Sequence, residues 1–502
     1  MQIFTLRKHM LAAIGACAAV CVLPGNVLAD QAQDIQTLKD QVRALQQQLN
    51  QQGTPQTTGT VAPPAPVNQG TAAGDERKRK ETPALTYAGI TLYGTVDMGI
   101  TYLSHGSPLS QTFGPGLPTF VQNYSNHPIT SIGGNNLSQS KVGLSGVEPL
   151  FVGDWTAVFR LETGFDPWSG RLVDGPGSLV ADNGKAAAVK ISAGDSSRAG
   201  QPFQGAAYAG VSSKTFGTLT FGRQNGLMLD ALNKYDPQLQ AQAFSPIAWS
   251  GTSGGLGDTQ SNRLDQSLKY VLNVGPGRLA LLHQFGSDGY IPEGGNEADI
   301  GMDLGGFSVD ALWGVIHGEV AAASLSAAQV LVEPSGTLAA TISDNTGYAL
   351  LTSYNMKDIF PIKFYAGWER IKYNNPEHPV PVGSEDIGGY VLSVVNNAAY
   401  DIQKILQISW VGARYSITPD FDLTAAYYQY NQKSYNANGC SSNAAGSCAG
   451  ELHDASLVAD YHFTKRFDTY AGIQYSLVQN GLSEGYLYTS VWAPTVGFRF
   501  NF

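Results

Sequence analysis

Side chains that could carry out chemistry are few in this sequence, and the cysteines are the most specific of them. Cys17 and Cys21 lie in an apolar amino-terminal segment, whereas Cys440 and Cys448 lie in the polar stretch NANGCSSNAAGSCAGE. Two such cysteines in an oxidising compartment close a loop disulfide. A metal site would need a second Cys or His pair at ligand spacing, which the sequence lacks. We therefore predict a Cys440–Cys448 disulfide and neither a metal nor a cofactor.

The histidines are the second set of candidates. A hydrolase needs a histidine beside an acid, or a serine and a histidine with an orienting partner. His9 belongs to the amino-terminal segment, and His105, His127, His378 and His453 are predicted to lie in loops. No pair of them has an evident partner. The sequence therefore predicts a protein that is not an enzyme, and a hydrolase is kept as a less favoured alternative.

Residues 1–29 are predicted to be an export signal. Arg7 and Lys8 form a positive n-region, residues 10–23 a short apolar core, and residues 27–29 a small-residue cleavage site. Cleavage shifts the formal charge from −10 to −12. An acidic chain lacks the basic surface that binds nucleic acid, so no nucleic-acid partner is expected. No later segment has the ~20 apolar residues of a spanning helix.

Residues 30–52 differ from the rest of the chain. Their apolar residues recur at alternating steps of three and four, which is the a/d spacing of a coiled coil: Ile35, Leu38, Val42, Leu45 and Leu49. A helix of about three turns is unstable alone in water, so self-association is expected. Residues 53–85 are a Pro/Gly/Thr-rich linker with the charged run DERKRKE, and we interpret them as a solvated spacer.

From residue 86 to residue 502 the sequence repeats one unit, an alternating strand of eight to sixteen residues. In ITLYGTVDMGITYL the apolar residues share one face, and Thr91, Thr95 and Asp97 lie on the other. Sixteen such segments begin near Ile90, Ser140, Trp155, Gly205, Phe216, Arg263, Gly277, Ala298, Phe307, Asp344, Ile359, Ile402, Phe421, Glu451, Phe467 and Thr489. An even number of strands is what a closed up-and-down barrel requires.

The connections between these segments alternate between short and long. Short ones include SKT, MKD, ITPD and TKR, and transmembrane barrels have short periplasmic turns and long external loops. The apolar faces are then predicted to meet lipid and the polar faces to meet water inside the barrel. Aromatic residues near strand ends predict interfacial girdles: Tyr102, Trp155, Phe165, Trp168, Tyr427, Tyr428, Tyr430 and Trp492.

Several stretches in order resemble the general porins of Gram-negative outer membranes, in particular the trimeric β-proteobacterial type. They are ITLYGTVDMGITYL, SQSKVGLSGVEPL, DWTAVFRLETGF, AAYAGVSSKTFGTLTFGRQ, NRLDQSLKY and the terminal VGFRFNF. The resemblance implies an all-β, 16-stranded antiparallel transmembrane barrel and a homotrimer in contact with outer-membrane lipid and lipopolysaccharide. It also implies that the barrel-insertion machinery reads the terminal aromatic residue, Phe502.

The same resemblance implies a constriction loop between the fifth and sixth strands, residues 224–262, which folds into the lumen. Its acids, Asp230, Asp236 and Asp258, are expected to face basic wall residues. At three positions where the family usually carries arginine, this chain has Lys141, Gly205 and Arg263. Further candidates for the lumen wall are Arg160, Glu162 and Arg223.

These features favour passive diffusion of small hydrophilic solutes and ions through a water-filled channel. A sugar-specific porin is the alternative, because some substrate-specific channels resemble this chain in having a periplasmic coiled coil. Phosphate is disfavoured, since the whole chain has only 30 Lys and Arg. The coiled coil, on the periplasmic side, is expected to contact the cell wall or another periplasmic partner.

Overall fold

The computed structural model describes residues 85–106, 127–150, 153–185, 202–248, 263–356, 359–386, 389–440, 445–483 and 489–502. The predicted export signal, the coiled-coil seam, all but the last residue of the linker, and Asp258 lie outside these residues. Within the described part of the chain, no helix is long and apolar enough to cross a membrane.

The described residues form twenty strands and two short α-helices. The strands are β1 (Leu85–Tyr87), β2 (Ile90–Gly106), β3 (His127–Gly134), β4 (Lys141–Pro149), β5 (Thr156–Gly164), β6 (Ala206–Ser213), β7 (Gly217–Asn225), β8 (Arg263–Val274), β9 (Gly277–Gln284), β10 (Gly294–Leu304), β11 (Phe307–Ala323), β12 (Leu338–Asn355), β13 (Ile362–Asn374), β14 (Ser384–Asp386), β15 (Tyr390–Asn396), β16 (Lys404–Thr418), β17 (Phe421–Gln432), β18 (Gly450–His462), β19 (Phe467–Asn480) and β20 (Ser490–Asn501). The helices are α1 (Gly175–Ala181) and α2 (Leu227–Tyr235).

Sixteen antiparallel strands close into a barrel, which confirms the predicted fold class. Strands β3 and β4 are two parts of one barrel strand, because both pair with the same side of β2. Pairing then runs from β4 to β13, continues with β13 to β16, and ends with β20. The barrel closes where β20 pairs with β2, from Thr95 opposite Asn501 to Thr101 opposite Thr495. Closure leaves no long edge unpaired.

The predicted starts of the other barrel strands lie near the observed ones. Strand β1, which pairs with the start of β2, strand β3 and the hairpin β14–β15 were not predicted. At the long-loop end, β12 begins at Leu338 instead of near Asp344. The reason is that β11 and β12 extend past the barrel rim, where β15 pairs in parallel with the start of β12. Loop side chains, including those of Leu179, Val380 and Leu392, pack against these extensions.

The outer face of the barrel is apolar, as the alternation predicts. In β2, Ile90, Leu92, Ile100 and Tyr102 are exposed, whereas Thr95, Asp97 and Thr101 on the opposite face are buried. Strand β20 repeats this pattern, and Val496, Phe498 and Phe500 are exposed. The terminal Phe502 exchanges backbone hydrogen bonds with Gly94, and its ring occupies the space that a side chain at Gly94 would need.

The inner face is not uniformly polar, which corrects the prediction. Leu406, Ile408 and Trp410 of β16 point inward and belong to a buried apolar cluster. Tyr428 and Tyr430, which were expected in an interfacial girdle, lie in the same cluster and are buried. The physical reason is that residues 226–248 pack over this part of the wall, so its apolar side chains do not meet water. We call residues 226–248 the inward segment.

Candidate functional site in the barrel lumen

The inward segment begins with α2, whose sequence favours a helix. LMLDALNKY consists mainly of good helix formers, with Asp230 in the first turn and Lys234 in the last, where each complements the helix dipole. The Leu227 amide N–H donates to Glu297 Oε2 of β10 over 2.5 Å. Pro237 follows the helix and disfavours its continuation. Helix α2 is therefore fixed at its first residue to the wall.

A first anchor holds the carboxyl end of α2. Trp410 Nε1 donates to the Tyr235 carbonyl over 3.0 Å, and the Tyr428 hydroxyl donates to Asp236 Oδ1 over 2.5 Å. The Asp236 carboxylate also accepts the amide N–H of Gln238 and Gln240. Burial raises the pKa of Asp236, and its hydrogen bonds oppose that shift. Asp236 was predicted to face basic residues across the lumen, but it is buried beneath the inward segment.

A second anchor holds the end of the inward segment. The Ala243 amide donates to the Asn136 carbonyl over 2.9 Å, and the Phe244 ring meets Tyr470 edge to face. Tyr470 in turn donates to Asp97 Oδ1 over 2.6 Å, and Asp97 Oδ2 accepts the amides of residues 137 and 138. The inward segment is thus attached to the inner wall at the first residue of α2, at the middle of the segment and near its end.

Three predicted residues, Lys141, Arg160 and Glu162, form one polar cluster with Tyr93 on β2, β4 and β5. Glu162 is 1% exposed and lies 2.7 Å from Arg160 Nη2 and 3.3 Å from Lys141 Nζ. Arg160 Nε donates to the Tyr93 hydroxyl over 2.7 Å, and its guanidinium lies over the Tyr93 ring. The structure therefore brings Lys141, Arg160 and Glu162 together, with two cations around one buried carboxylate.

The other predicted residues lie along β7, β8 and α2. Arg223 pairs with Asp265 at 2.7 Å, and Arg263 Nε donates to the Gly205 carbonyl over 3.1 Å. Asp230 pairs with Lys269 of β8, a wall residue that the sequence analysis did not select. Lys269 lies on the same strand face as Ser267, so the two-residue period could have found it.

A further charged cluster at the short-turn end was also missed. Arg278 pairs with Asp310 at 2.5 Å and with Asp303, and Lys234 of α2 lies 2.9 Å from Asp303. Burial lowers the pKa of Lys234 to about 8, which Asp310 partly opposes. The inward segment therefore contributes a cation, Lys234, as well as an acid, Asp230.

The histidines show a different distribution from the predicted one. His105 lies in β2, which extends past the alternating stretch, and His127 begins β3, which was not predicted. His453 lies in β18, inside the segment that was predicted to begin near Glu451. The Tyr427 hydroxyl lies 2.7 Å from His453 Nδ1, and Glu451 lies 3.3 Å from its Nε2. His378 lies in a loop, as predicted.

The cysteine pair gives a prediction of its own. The Cys440 and Cys448 sulfurs are bonded, with the Cα atoms 5.7 Å apart, in the loop between β17 and β18. We expect peptide mapping of the unreduced, exported protein to recover these two cysteines in one linked fragment that separates on reduction. Free thiols at both positions in freshly prepared protein would contradict the pairing.

A closed barrel of sixteen strands, apolar outside and lined inside by charged side chains, is an outer-membrane β-barrel channel. A family model described as Gram-negative porin matches residues 70–481. The chain therefore belongs to the Gram-negative porin family, which allows passive diffusion of small solutes across the outer membrane.

Solved structures are similar in fold. The anion-selective porin from Comamonas acidovorans has a TM-score of 0.52 and 17% identity, over 82% of this chain and 99% of that one. Outer-membrane expressed OmpT of Vibrio cholerae has a TM-score of 0.50 and 13% identity, over 84% of this chain and 100% of that one. Identities this low show the fold alone. A search of curated protein sequences finds no match.

Proposed function

We propose that the chain is a general diffusion porin whose inward segment narrows the lumen and whose wall charges set a weak ion preference. The observation that carries this proposal is the attachment of the inward segment to the inner wall at its start, at its middle and near its end. A segment attached in this way reduces the cross-section open to solutes. Lys141, Arg160, Arg223, Arg263 and Lys269 supply positive charge, while Glu162, Asp230 and Asp265 offset part of it.

The sugar-specific alternative receives less support. Sugar channels need a row of aromatic rings exposed along the lumen. Here Trp410 is 1% exposed and Tyr428 is 0% exposed, because the inward segment covers them. The Tyr93 ring is engaged by Arg160, and its hydroxyl donates to Glu162 over 3.3 Å. These rings are therefore used in packing and charge binding.

The test is single-channel recording of the refolded protein in planar bilayers. We expect stepwise currents whose size rises with salt concentration, and no saturable block by maltose, sucrose or glucose. Currents that a sugar blocks saturably would favour the substrate-specific alternative, and absence of channels would contradict the proposal. We further propose that the protein is not an enzyme, so the same preparation is expected to leave peptide and phospholipid substrates intact.

The assembly is also part of this proposal. We propose a homotrimer embedded among outer-membrane lipid and lipopolysaccharide, with Phe502 read by the barrel-insertion machinery. Residues 30–52 would form a periplasmic three-stranded coiled coil that contacts the cell wall, because three tethered chains have a high effective concentration. Circular dichroism of residues 30–52 fused to a trimeric scaffold tests this point, and absence of helix would contradict it.

A further inference from the structure

Three metal-ligating side chains from two long loops meet outside the barrel. Asp288 and Glu293 lie between β9 and β10, and His378 lies between β13 and β14. One ligand atom from each lies within 4.8 Å of the others. His378 Nδ1 is 2.7 Å from Glu293 Oε1, and His378 Nε2 is 3.7 Å from Asp288 Oδ2. The imidazole therefore lies between two carboxylates.

Glu293 has an unsatisfied, buried carboxylate oxygen. Its side chain is 3% exposed, yet Oε2 has no hydrogen-bond partner among the residues that the structure describes. An ionised carboxylate is costly to bury unless each oxygen is hydrogen-bonded or coordinated. Gly318 adopts a φ of 63° beside it, and a side chain at that position would lie 3.0 Å from Oε2. Space next to this carboxylate is thus kept open by a glycine.

The loop that carries His378 is itself held in place. The Glu377 amide donates to Asp344 Oδ2 over 3.0 Å, and the Val380 amide donates to Asn397 Oδ1 over 3.1 Å. These bonds flank His378 on both sides. By contrast, the side chain of Asp288 is 78% exposed, so it can rotate. The cluster combines two positioned ligands with one adaptable ligand.

We propose that Asp288, Glu293 and His378 bind a divalent transition-metal cation, with zinc as the best fit. One imidazole nitrogen and two carboxylate oxygens form a donor set that suits zinc, whereas calcium and magnesium prefer oxygen alone. Bonds of about 2.0–2.1 Å place tetrahedral ligand atoms roughly 3.3 Å apart. The Nδ1–Oε1 separation of 2.7 Å would widen toward that value when the ion enters between His378 and Glu293, and the exposed Asp288, which faces Nε2 at 3.7 Å, would rotate to reach the same ion. Water would take the fourth position, and the ion would join the two loops.

A second group of possible ligands, Asp460, His462 and Asp468, serves as a contrast. Their ligand atoms also lie within 4.8 Å of one another. However, Arg499 Nη2 lies 2.7 Å from Asp468 and 3.8 Å from Asp460. A guanidinium already supplies the positive charge there. A divalent ion would be repelled at this group, so it provides an internal control.

The test is isothermal titration of tag-free, refolded mature protein with zinc chloride. We expect one zinc per chain in the parent protein. Removing a residue that only supports a metal ligand already weakens metal binding by about 10–100-fold. His378→Ala and Glu293→Gln each remove a proposed ligand, so each is expected to weaken zinc binding more. The control variants are His453→Ala, which alters an exposed histidine near one acid, and His462→Ala. Both are expected to bind zinc like the parent.

Heat-resistant migration on electrophoresis verifies that each variant forms the barrel. Hydrogen exchange gives an independent readout, since zinc is expected to slow exchange in both residues 285–293 and residues 375–380. Undiminished zinc binding by His378→Ala, absence of zinc binding by the parent, or loss of binding in His462→Ala alone would overturn the assignment. None of these outcomes depends on conductance, so the zinc site and the channel proposal are tested separately.

Discussion

Asp236→Ala is expected to release the inward segment from the barrel wall and to raise backbone exchange in residues 226–248 by roughly a hundredfold or more. The substitution leaves the Tyr428 hydroxyl and the amides of Gln238 and Gln240 without their acceptor. Each buried donor left unpaired costs about 1–3 kcal/mol. A total of about 3 kcal/mol for the three donors corresponds to a roughly hundredfold increase in the equilibrium constant for local opening of the inward segment. Hydrogen exchange by mass spectrometry measures this directly.

The matched control for this prediction is Asp230→Ala, an acid from the same segment. Asp230 is 28% exposed and its partner Lys269 is 11% exposed, but Lys269 keeps its hydrogen bond to the Asn225 carbonyl when Asp230 is removed. We therefore expect a smaller change in exchange than in Asp236→Ala. Asp236→Ala should also increase open-channel noise and admit larger polyethylene glycols, while the barrel keeps its heat-resistant migration. Equal exchange in the two variants would show that Asp236 does not anchor the inward segment.

The strand pattern was predictable because it depends on local alternation. Within the membrane, one face of each barrel strand meets lipid, so a two-residue period survives in β2 and β20 without help from other parts of the chain. Strand β3, which was not predicted, shows where the two-residue period fails. Residues 135–140 interrupt the alternation: Asn135 has a φ of 65°, and the amides of Leu137 and Ser138 donate to Asp97. That interruption depends on the carboxylate of Asp97, which lies 40 residues before Leu137 in the chain.

The inner wall was harder to predict because its environment comes from a distant segment. Leu406, Ile408 and Trp410 are apolar although they face the lumen, since the inward segment covers them. The local pattern is misleading here, because Gln407 and Ser409 lie on the outer face between these apolar residues. Alternation alone would assign the apolar face of this part of β16 to lipid. Its true orientation follows only from the contact with the inward segment.

The charged residues also divide into features that local alternation predicts and contacts that depend on distant parts of the chain. The two-residue spacing of Arg160 and Glu162 was sufficient to predict that they share a face. Their joint contact with Lys141 requires the pairing of β4 with β5, in which Gly143 lies opposite Glu162. Lys269 shows the same two-residue spacing as the charged residues that were selected. Its contact with Asp230 could not be predicted, because that contact depends on how the inward segment folds.

Reversal of wall charge is expected to produce the second large effect. In the double variant Lys141→Glu/Arg263→Glu, two cations that we propose to line the lumen become anions, and the ion preference of the channel should shift toward cations. Charges a few ångströms from a permeating ion are worth on the order of one to a few kcal/mol before screening. The ratio of cation to anion permeability is therefore expected to rise roughly tenfold or more at low salt. Reversal potentials under a potassium chloride gradient measure it.

Screening and a matched control make this result specific. In 1 M salt the Debye length falls to about 3 Å, so the shift should shrink sharply. The neutral variant Lys141→Gln/Arg263→Gln avoids placing a second carboxylate beside Glu162, which lies 3.3 Å from Lys141 Nζ, and should give about half the effect. Lys214→Glu/Lys433→Glu makes the same change in charge at exposed positions in a turn and a loop, and should leave the reversal potential nearly unchanged. If the control pair shifts the reversal potential as much as the Lys141/Arg263 pair, ion preference arises from the charge of the whole protein and not from these two residues.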